Sequence, residues 1–246
     1  MDSLASILTD ARDIVFFGGA GISTESGIPD FRSSAGLYAR ATPDAPPPEY
    51  LLSHDCLVHD PQAFFDFHRT SLLHPDAEPN RAHRALARLE QAGKLGAVIT
   101  QNIDGLHQAA GSRRVLELHG SAQRNSCVGC GAQQDMAWML GTTGVPSCPA
   151  CGEMVRPDVV LYGEALDGRV MDQAIEAILG CDVLLVGGTS LNVYPAAGLV
   201  RFHRGPHLVL VNRDATPYDA EASLVIHDSL GQVLGDAVDL ALGTAD

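Results

Sequence analysis

The stretch DIVFFGGAGI, residues 13–22, decides the fold of this chain of 246 residues. Residues 14–17 form an apolar run with no polar position, which is typical of a strand buried on both faces of a parallel sheet. The glycines that follow let the backbone turn sharply and bring free amide groups to a phosphate. The stretch therefore predicts a strand followed by a phosphate-binding turn, with an ordinary tight turn as the alternative.

An apolar run that ends in a polar or glycine-containing turn recurs at residues 96–100, 115–118, 183–186 and 208–211. Helical patterns separate these runs. One helix is predicted to begin near Ser3 and another near Asn80, with these residues as N-caps, and a third covers residues 170–179. Strands that alternate with helices predict an α/β fold with a Rossmann-like parallel sheet, whose ligand lies along the carboxyl edge.

Two segments depart from this alternation, at about residues 40–84 and 121–154. We interpret them as insertions that build a small lobe, made of a helical insert and a zinc module. The large lobe, which would bind the nucleotide, is then discontinuous in sequence and comprises residues 1–39, 85–120 and 155–246. A cleft between two lobes is a common place for a ligand, and we expect the site there.

Four of the six cysteines form two Cys-x-x-Cys pairs with 17 residues between them: Cys127, Cys130, Cys148 and Cys151. This spacing fits a tetrahedral zinc site made of thiolates alone. Because four thiolates leave no open coordination position, the predicted Zn²⁺ is structural, with one ion per chain. A redox-active Cys-x-x-Cys pair is the weaker alternative.

Acidic residues outnumber basic residues by 30 to 16, which gives a formal charge of −14. Such a balance disfavours nucleic acid and an anionic membrane surface as partners. No apolar stretch reaches the roughly 18 residues of a membrane helix. The N-terminus lacks the pattern of a secretory signal, so the predicted location is cytoplasmic. The oligomeric state is left open.

Two polar features follow predicted strands. The turn Gln101-Asn-Ile-Asp104 can hold ribose hydroxyls and a carboxamide, although Asp104 can equally cap a short helix. His119 follows the run at 115–118, and a histidine that faces a cleft from a strand end can act as a general base near neutral pH. Because the chain has ten histidines, a structural role is the alternative for any one of them.

The ordered series of motifs resembles the sirtuins, the NAD-dependent protein deacylases. The resemblance covers about residues 3–240. It is carried by Gly19-Ala-Gly-Ile-Ser23, Ser26-Gly-Ile-Pro-Asp-Phe-Arg32, Pro79-Asn80 with His83, Thr100-Gln-Asn-Ile-Asp104, His119-Gly120, the four cysteines, Arg156-Pro-Asp-Val-Val-Leu-Tyr-Gly-Glu164 and Gly188-Thr-Ser-Leu-Asn-Val-Tyr-Pro195.

The resemblance implies NAD as a co-substrate and acyl-lysine proteins or peptides as partners. The cofactor-binding residues it implies are Gly19, Ala20, Gly21, Asp30, Phe31, Arg32, Gln101, Asn102, Ile103, Asp104, Gly188, Thr189, Ser190 and Asn212. The catalytic residues it implies are His119, Asn102 and Gln101. The substrate-binding residues it implies are Val159, Val160, Tyr162, Gly163, Glu164, Phe65 and His68.

The resemblance also implies a reaction. The amide oxygen of an acyl-lysine attacks a ribose carbon of NAD and displaces nicotinamide, and His119 takes a proton from a ribose hydroxyl. The products are free lysine, nicotinamide and an O-acyl-ADP-ribose. The segment Val159–Glu164 is expected to be a strand that pairs with the substrate backbone.

The predicted acyl group is neutral, with acetyl first. Sirtuins that prefer negatively charged acyl groups carry a tyrosine and, three residues later, an arginine, whereas this chain has Phe65 and His68 at these positions and Arg69 one residue further. A bidentate guanidinium is what carboxylate recognition requires. The alternatives are a desuccinylase or another deacylase, an ADP-ribosyltransferase or NAD hydrolase on the same scaffold, and a non-catalytic NAD or ADP-ribose sensor.

Overall fold

The computed structural model describes residues 2–34, 36–40 and 46–243. Its strands are β1 (Ile14–Gly18), β2 (Leu95–Thr100), β3 (Val115–Glu117), β4 (Gly120–Cys127), β5 (Gln133–Asp135), β6 (Val155–Val159), β7 (Val183–Gly187), β8 (His207–Val211) and β9 (Leu224–Ile226). Its α-helices are α1 (Asp2–Asp10), α2 (Pro48–Leu51), α3 (His54–His59), α4 (Pro61–Ser71), α5 (Arg81–Gln91), α6 (Leu106–Ala109), α7 (Met136–Leu140), α8 (Gly168–Gly180) and α9 (Leu230–Ala241). Short 3₁₀ segments cover Ala20–Ser26, Tyr38–Arg40, Ala196–Phe202 and Asp219–Glu221. None of the helices in these ranges is long and apolar enough to span a membrane.

The large sheet is parallel and has the spatial order β3-β2-β1-β7-β8-β9. In this sheet Gly18 of β1 lies level with Thr100 of β2 and with Gly187 of β7. The strand order runs outward in opposite directions from β1 and β7, so the topological switch point lies between them, where α/β sheets bind ligands. The predicted Rossmann-like α/β fold is confirmed.

Both faces of this sheet are covered, which explains the unbroken apolar run of β1. Ile14 and Phe16 pack on one face with α1, α5 and α9. Val15 and Phe17 pack on the other face, which α8 covers. Because successive side chains of a strand point to opposite faces, each position of β1 enters one of two cores, and none faces water.

The small lobe has a sheet and a core of its own. Its three strands are antiparallel in the order β5-β4-β6. Phe64 and Phe65 of α4 pack with Met139 of α7 and Val155 of β6, and all four side chains are fully buried. This core brings together residues of the predicted helical insert and of the cysteine module.

Two details of the predicted lobes differ from the structure. The predicted boundary at 84/85 falls inside α5, which packs against α9 of the large lobe. The predicted boundary at 154/155 separates β6 from the small sheet to which it belongs, because β6 pairs with β4. The division of the chain into two lobes otherwise stays a prediction, and residues 1, 35, 41–45 and 244–246 of the predicted ranges lie outside the described residues.

The two predicted helix caps have different outcomes. The side-chain oxygen of Asn80 accepts hydrogen bonds from the amides of Ala82 at 3.0 Å and His83 at 3.4 Å, so this cap is confirmed. The amide of Asn80 in turn donates to Nδ1 of His83, which completes a capping box. The cap predicted at Ser3 is wrong, because α1 already begins at Asp2 and Ser3 lies within its first turn.

Candidate functional site

Two glycine turns meet at the switch point of the sheet. The amide of Gly21, after β1, donates to the carbonyl of Gly188, after β7, over 2.8 Å. A Cβ atom at Gly21 would lie 2.7 Å from the Cα of Gly188, and one at Gly188 would lie 2.4 Å from the amide nitrogen of Ile22. Gly188 also has a positive φ of 61°. Only glycine fits either position, and together the bare backbones form a cradle that a phosphate can approach.

The turn after β2 is fastened to the 3₁₀ segment Ala20–Ser26. The hydroxyl of Ser23 donates to Oδ2 of Asp104 over 2.6 Å. The side-chain amide of Asn102 donates to the Ser23 hydroxyl at 3.0 Å and to the same carboxylate oxygen at 3.3 Å. Asp104 also accepts from the amide of Leu106 at 2.9 Å, but the N-cap residue of α6 is Gly105, so Asp104 supports the start of the helix from one position earlier than predicted. Ser23 was absent from the predicted site, although the motif Gly19-Ala-Gly-Ile-Ser23 contained it.

Gln101 joins this turn to the turn after β7 and to His119. Its side-chain amide donates to the hydroxyl of Thr189 over 3.1 Å. Its backbone oxygen lies 2.8 Å from Nδ1 of His119. Three residues that are far apart in sequence therefore form one connected set at the carboxyl edge of the sheet.

The contact with Gln101 fixes the tautomer of His119. A carbonyl oxygen can only accept, so Nδ1 of His119 carries the proton and donates it, and Nε2 keeps its lone pair. Burial lowers the pKa of His119 below its usual 6.5, although the hydrogen bond to Gln101 opposes that shift. The imidazole is therefore neutral near pH 7, with Nε2 ready to accept a proton.

Asp30, Phe31 and Arg32 lie in a loop that we call the Phe31 loop, residues 30–34 and 36–38. Oδ1 of Asp30 accepts from the amide of Ser33 over 2.8 Å. The ring of Phe31 meets that of Tyr38 edge-on, with centroids 5.8 Å apart, and the guanidinium of Arg32 lies 5.6 Å from the Tyr38 ring centroid. Tyr38 was not predicted as a site residue, because no chemical pattern in the sequence marks it.

The strand predicted over Val159–Glu164 is wrong in its bounds, because β6 ends at Val159. The next residues, 160–164, form an irregular stretch that we call the Tyr162 segment. The amide of Val160 donates to the carbonyl of His119 at 2.9 Å, and that of Tyr162 donates to Leu52 at 3.1 Å. The carbonyl of Tyr162 accepts from His54 at 2.9 Å. The amides of Val160 and Tyr162 are already paired inside the chain, so a substrate strand cannot accept hydrogen bonds from them.

Glu164 anchors the Tyr162 segment from within. Its carboxylate makes two short contacts with the guanidinium of Arg156, at 2.7 and 3.0 Å, and accepts from the amide of Leu161 at 2.9 Å. Nδ1 of His54 lies 3.0 Å from the same carboxylate. Burial alone would raise the pKa of Glu164, but these hydrogen bonds lower it to about 2. The geometry gives Glu164 a positioning role.

The predicted acyl positions lie on α4. Phe65 and His68 are fully buried, and the ring of His68 stacks on Phe64. Burial, and then the nearby charge of Arg69, lower the pKa of His68 to about 4, so His68 is neutral. Arg69 donates to the carbonyl of Gly144 and to the hydroxyl of Thr142, and it pairs with Asp66.

The four predicted zinc ligands form one cluster. The four Sγ atoms all lie within 4.8 Å of one another. The Sγ atoms of Cys127 and Cys151 are 3.4 Å apart, and those of Cys130 and Cys148 are 3.7 Å apart. A disulfide bond would need about 2.05 Å, whereas a tetrahedral zinc ion with Zn–S bonds of about 2.3 Å separates its sulfurs by about 3.8 Å. The cluster therefore fits zinc and contains no disulfide.

The remaining predicted cofactor residues follow strand ends at the same edge of the sheet. Ser190 follows Gly188 and Thr189 after β7, and Asn212 follows β8, where its amide donates to Ile226 over 3.0 Å. Ile103 packs against the small-lobe core. The fold thus gathers the turns after four of its parallel strands along one edge, beside the small lobe.

The class of fold is defined by two features. One is a Rossmann-like sheet with paired glycine turns, and the other is a small lobe with a four-cysteine cluster. A model of the Sir2 family matches residues 19–195, and the chain belongs to that family. It is 58% identical over 233 residues to a Cutibacterium acnes protein named NAD-dependent protein deacetylase, with 95% of each chain covered. It is 52% identical over 240 residues to a Clostridium perfringens protein of the same name, covering 97% of this chain and 98% of the relative.

Solved structures agree with this assignment. The chain is similar to a Sir2 variant bound to a deacetylated p53 peptide and 3′-O-acetyl ADP-ribose, with a TM-score of 0.87 and 36% identity over 100% of this chain and 99% of the other. The sirtuin resemblance of the sequence is therefore confirmed.

Proposed function

We propose that this protein is an NAD-dependent protein-lysine deacetylase, which transfers the acyl group to ADP-ribose and releases nicotinamide. The observation that carries the proposal is the neutral His119 tautomer, in which Nδ1 donates to Gln101 and the lone pair lies on Nε2. Relatives at 52–58% identity carry the name of this activity over nearly their whole length.

The residues present fit NAD. The cradle of Gly19, Ala20, Gly21 and Gly188 would hold its phosphates, and Thr189, Ser190 and Asn212 would hold the adenosine half. Gln101, Asn102, Ile103 and Asp104 would hold the nicotinamide ribose and the carboxamide, and Asp30, Phe31 and Arg32 would cover them. When bound, NAD supplies a ribose carbon from which nicotinamide departs and to which the acyl oxygen adds.

His119 is the general base of this proposal. Its Nε2 takes up the proton of a hydroxyl presented at the cleft, and the hydrogen bond from Nδ1 to Gln101 stabilises the imidazolium that results. Gln101 and Asn102 act by orientation, since their side chains are held by Thr189 and Ser23 respectively. Holding a weakly nucleophilic amide oxygen in line with the ribose carbon supplies a large part of the rate.

The proposed substrate is an acyl-lysine protein or peptide that lies along Val159, Val160, Tyr162 and Gly163. Glu164 holds this stretch in place through Arg156. The similar Sir2 variant with a deacetylated peptide bound supports a peptide substrate.

The proposed acyl group is neutral, with acetyl first. His68 is neutral and buried beside Phe65, and the guanidinium of Arg69 is occupied by Gly144, Thr142 and Asp66. Neither residue offers the free cation that a succinyl carboxylate requires. We further propose a cytoplasmic location, since reduced thiols such as this cluster belong to reducing compartments.

The proposal is tested by incubating an acetyl-lysine peptide with and without NAD and following the peptide by mass spectrometry. The wild type should remove the acetyl group only when NAD is present. His119→Ala should lower the rate by about 10²- to 10⁴-fold, while the matched control His59→Ala, an exposed histidine on α3, should keep it. Acetyl removal without NAD, or an active His119→Ala variant, would contradict the proposal.

A further inference from the structure

One contact joins the Phe31 loop to the Tyr162 segment. The hydroxyl oxygens of Tyr38 and Tyr162 lie 2.5 Å apart, so one donates a hydrogen bond to the other. The two residues are 124 positions apart in the sequence. One belongs to the loop proposed to cover NAD, and the other to the segment proposed to hold the peptide.

Tyr38 organises the loop that it closes. Its amide donates to the carbonyl of Phe31 over 2.9 Å, and the amide of Leu37 donates to that of Asp30 over 2.7 Å. Its ring contacts both Phe31 and Arg32. In the described chain the other hydrogen bonds of the Phe31 loop run within the loop, so the Tyr38 hydroxyl makes the hydrogen bond that joins the loop to the other described residues.

The backbone of Tyr162 is held in place by hydrogen bonds to the rest of the protein. Both of its backbone groups are paired, with Leu52 and with His54, and Glu164 holds the segment two residues further on. The side chain itself stays 41% exposed. Burial, together with the hydrogen bond to Tyr162, raises the pKa of Tyr38, so the Tyr38 hydroxyl keeps its proton at neutral pH.

We propose that the Tyr38–Tyr162 hydroxyl pair couples the two substrate sites, so that a nucleotide and an acyl-lysine peptide strengthen each other's binding. This inference rests on the proposed function. The backbone of Tyr162 is already held, so a peptide acts through the exposed Tyr162 side chain, whose hydroxyl in turn holds the Phe31 loop. A nucleotide then has less disorder of that loop to remove, and such coupling acts equally in both directions. Both tyrosines are therefore positioning residues.

The test is a double-mutant cycle with Tyr38→Phe, Tyr162→Phe and the double variant. Each change removes one hydroxyl and keeps the ring packing. Calorimetry measures the Kd of an acetyl-lysine peptide without and with saturating ADP-ribose, which cannot turn over. In the wild type ADP-ribose should tighten peptide binding, and each single variant should reduce that enhancement by about 2- to 10-fold, the range for one hydrogen bond. The double variant should lose no more than either single variant.

Tyr50→Phe serves as the matched control, because it likewise removes one tyrosine hydroxyl but from a ring that packs against the small-lobe core. It should leave the enhancement unchanged. An enhancement that is equal in all variants, or losses that add in the double variant, would overturn the coupling while wild-type deacetylation persists. A wild type that binds no ADP-ribose would instead overturn the proposed function itself.

Discussion

At the scale of single residues, the proposed chemistry depends on which ring nitrogen of His119 carries the proton. His119 has two ring nitrogens, and the Gln101 carbonyl 2.8 Å from Nδ1 decides which of them is basic. A histidine free to change its tautomer would spend part of its time with Nε2 protonated and unable to act as a base. The hydrogen bond to the Gln101 carbonyl disfavours the tautomer that is protonated on Nε2, and in the described chain it does so without a carboxylate beside the histidine.

The pH profile of kcat/KM follows from this environment. Because burial favours the neutral imidazole, the pKa of His119 lies below 6.5, and protonation disables the base only below that value. We expect kcat/KM to decline at acid pH with a midpoint below 6.5. Initial rates with an acetyl-lysine peptide across pH 5–8 would measure the midpoint, and a midpoint above 7 would contradict a buried, neutral base.

The sequence located His119 but could not give its protonation. Its place after a predicted strand, together with the neighbouring motifs, distinguished it among ten histidines. The hydrogen bond to Gln101 depends on the parallel pairing of β2 with β3, which no local pattern contains. Tyr38 was missed for the same reason, because its contacts with Phe31 and Tyr162 depend on the tertiary structure.

At the scale of elements, the nucleotide cradle depends on two turns that touch. Gly188→Ala should lower the free energy of unfolding by more than the roughly 1–2 kcal/mol that a left-handed backbone costs alanine. The reason is that its Cβ also meets the backbone of Ile22 at 2.4 Å. Gly27→Ala is the matched control, because Gly27 also has a positive φ, of 85°, but has no atom within 4 Å of an added Cβ.

Urea unfolding and ADP-ribose titrations would separate the two effects. Gly27→Ala should show the backbone cost alone and bind ADP-ribose normally. Gly188→Ala should be less stable and also bind ADP-ribose more weakly. Equal stability and equal binding in the two variants would show that the close contact of the turns does not matter.

The zinc module is a second element with a separate test. Cys127→Ala removes one of the four thiolates that hold β4 to the two cysteine turns. We expect the variant to contain no zinc and the small lobe to lose its cooperative unfolding transition, since structural zinc contributes directly to folding. Cys181→Ala, in the large-lobe core, should keep one zinc per chain. A Cys127→Ala protein that is folded, metal-free and fully active would contradict the structural role.

Sequence patterns predicted the buried parallel strands better than the small sheet. A continuous apolar run such as β1 has few alternatives once glycines follow it. In contrast, β6 alternates buried and half-exposed positions and contains Pro157, and β4 is largely polar. Strands of this kind are stabilised by the strands they pair with and by the metal. Their bounds, and the sheet to which they belong, therefore could not be predicted from local sequence patterns.

At the scale of the whole molecule, the proposed function draws on two sheets with hydrophobic cores of their own, the six-stranded parallel sheet and the three-stranded antiparallel sheet. The large lobe supplies the turns at the carboxyl edge of its sheet, and the small lobe supplies β6 and α4. Two contacts join the segment proposed to hold the peptide to the rest of the proposed site. Val160 bonds to the proposed base His119, and Tyr162 bonds to Tyr38 of the Phe31 loop. We therefore expect the protein to act on NAD efficiently only when a peptide is also present.

The most direct test is nicotinamide release from NAD, measured with no peptide, with an acetyl-lysine peptide and with the matching succinyl-lysine peptide. We expect release with the acetyl peptide, little with the succinyl peptide, and almost none without a peptide. Release mainly with the succinyl peptide would contradict the neutral acyl site. Equal release with and without peptide, or no release in any mixture, would contradict the central claim that this protein is an NAD-dependent protein deacetylase.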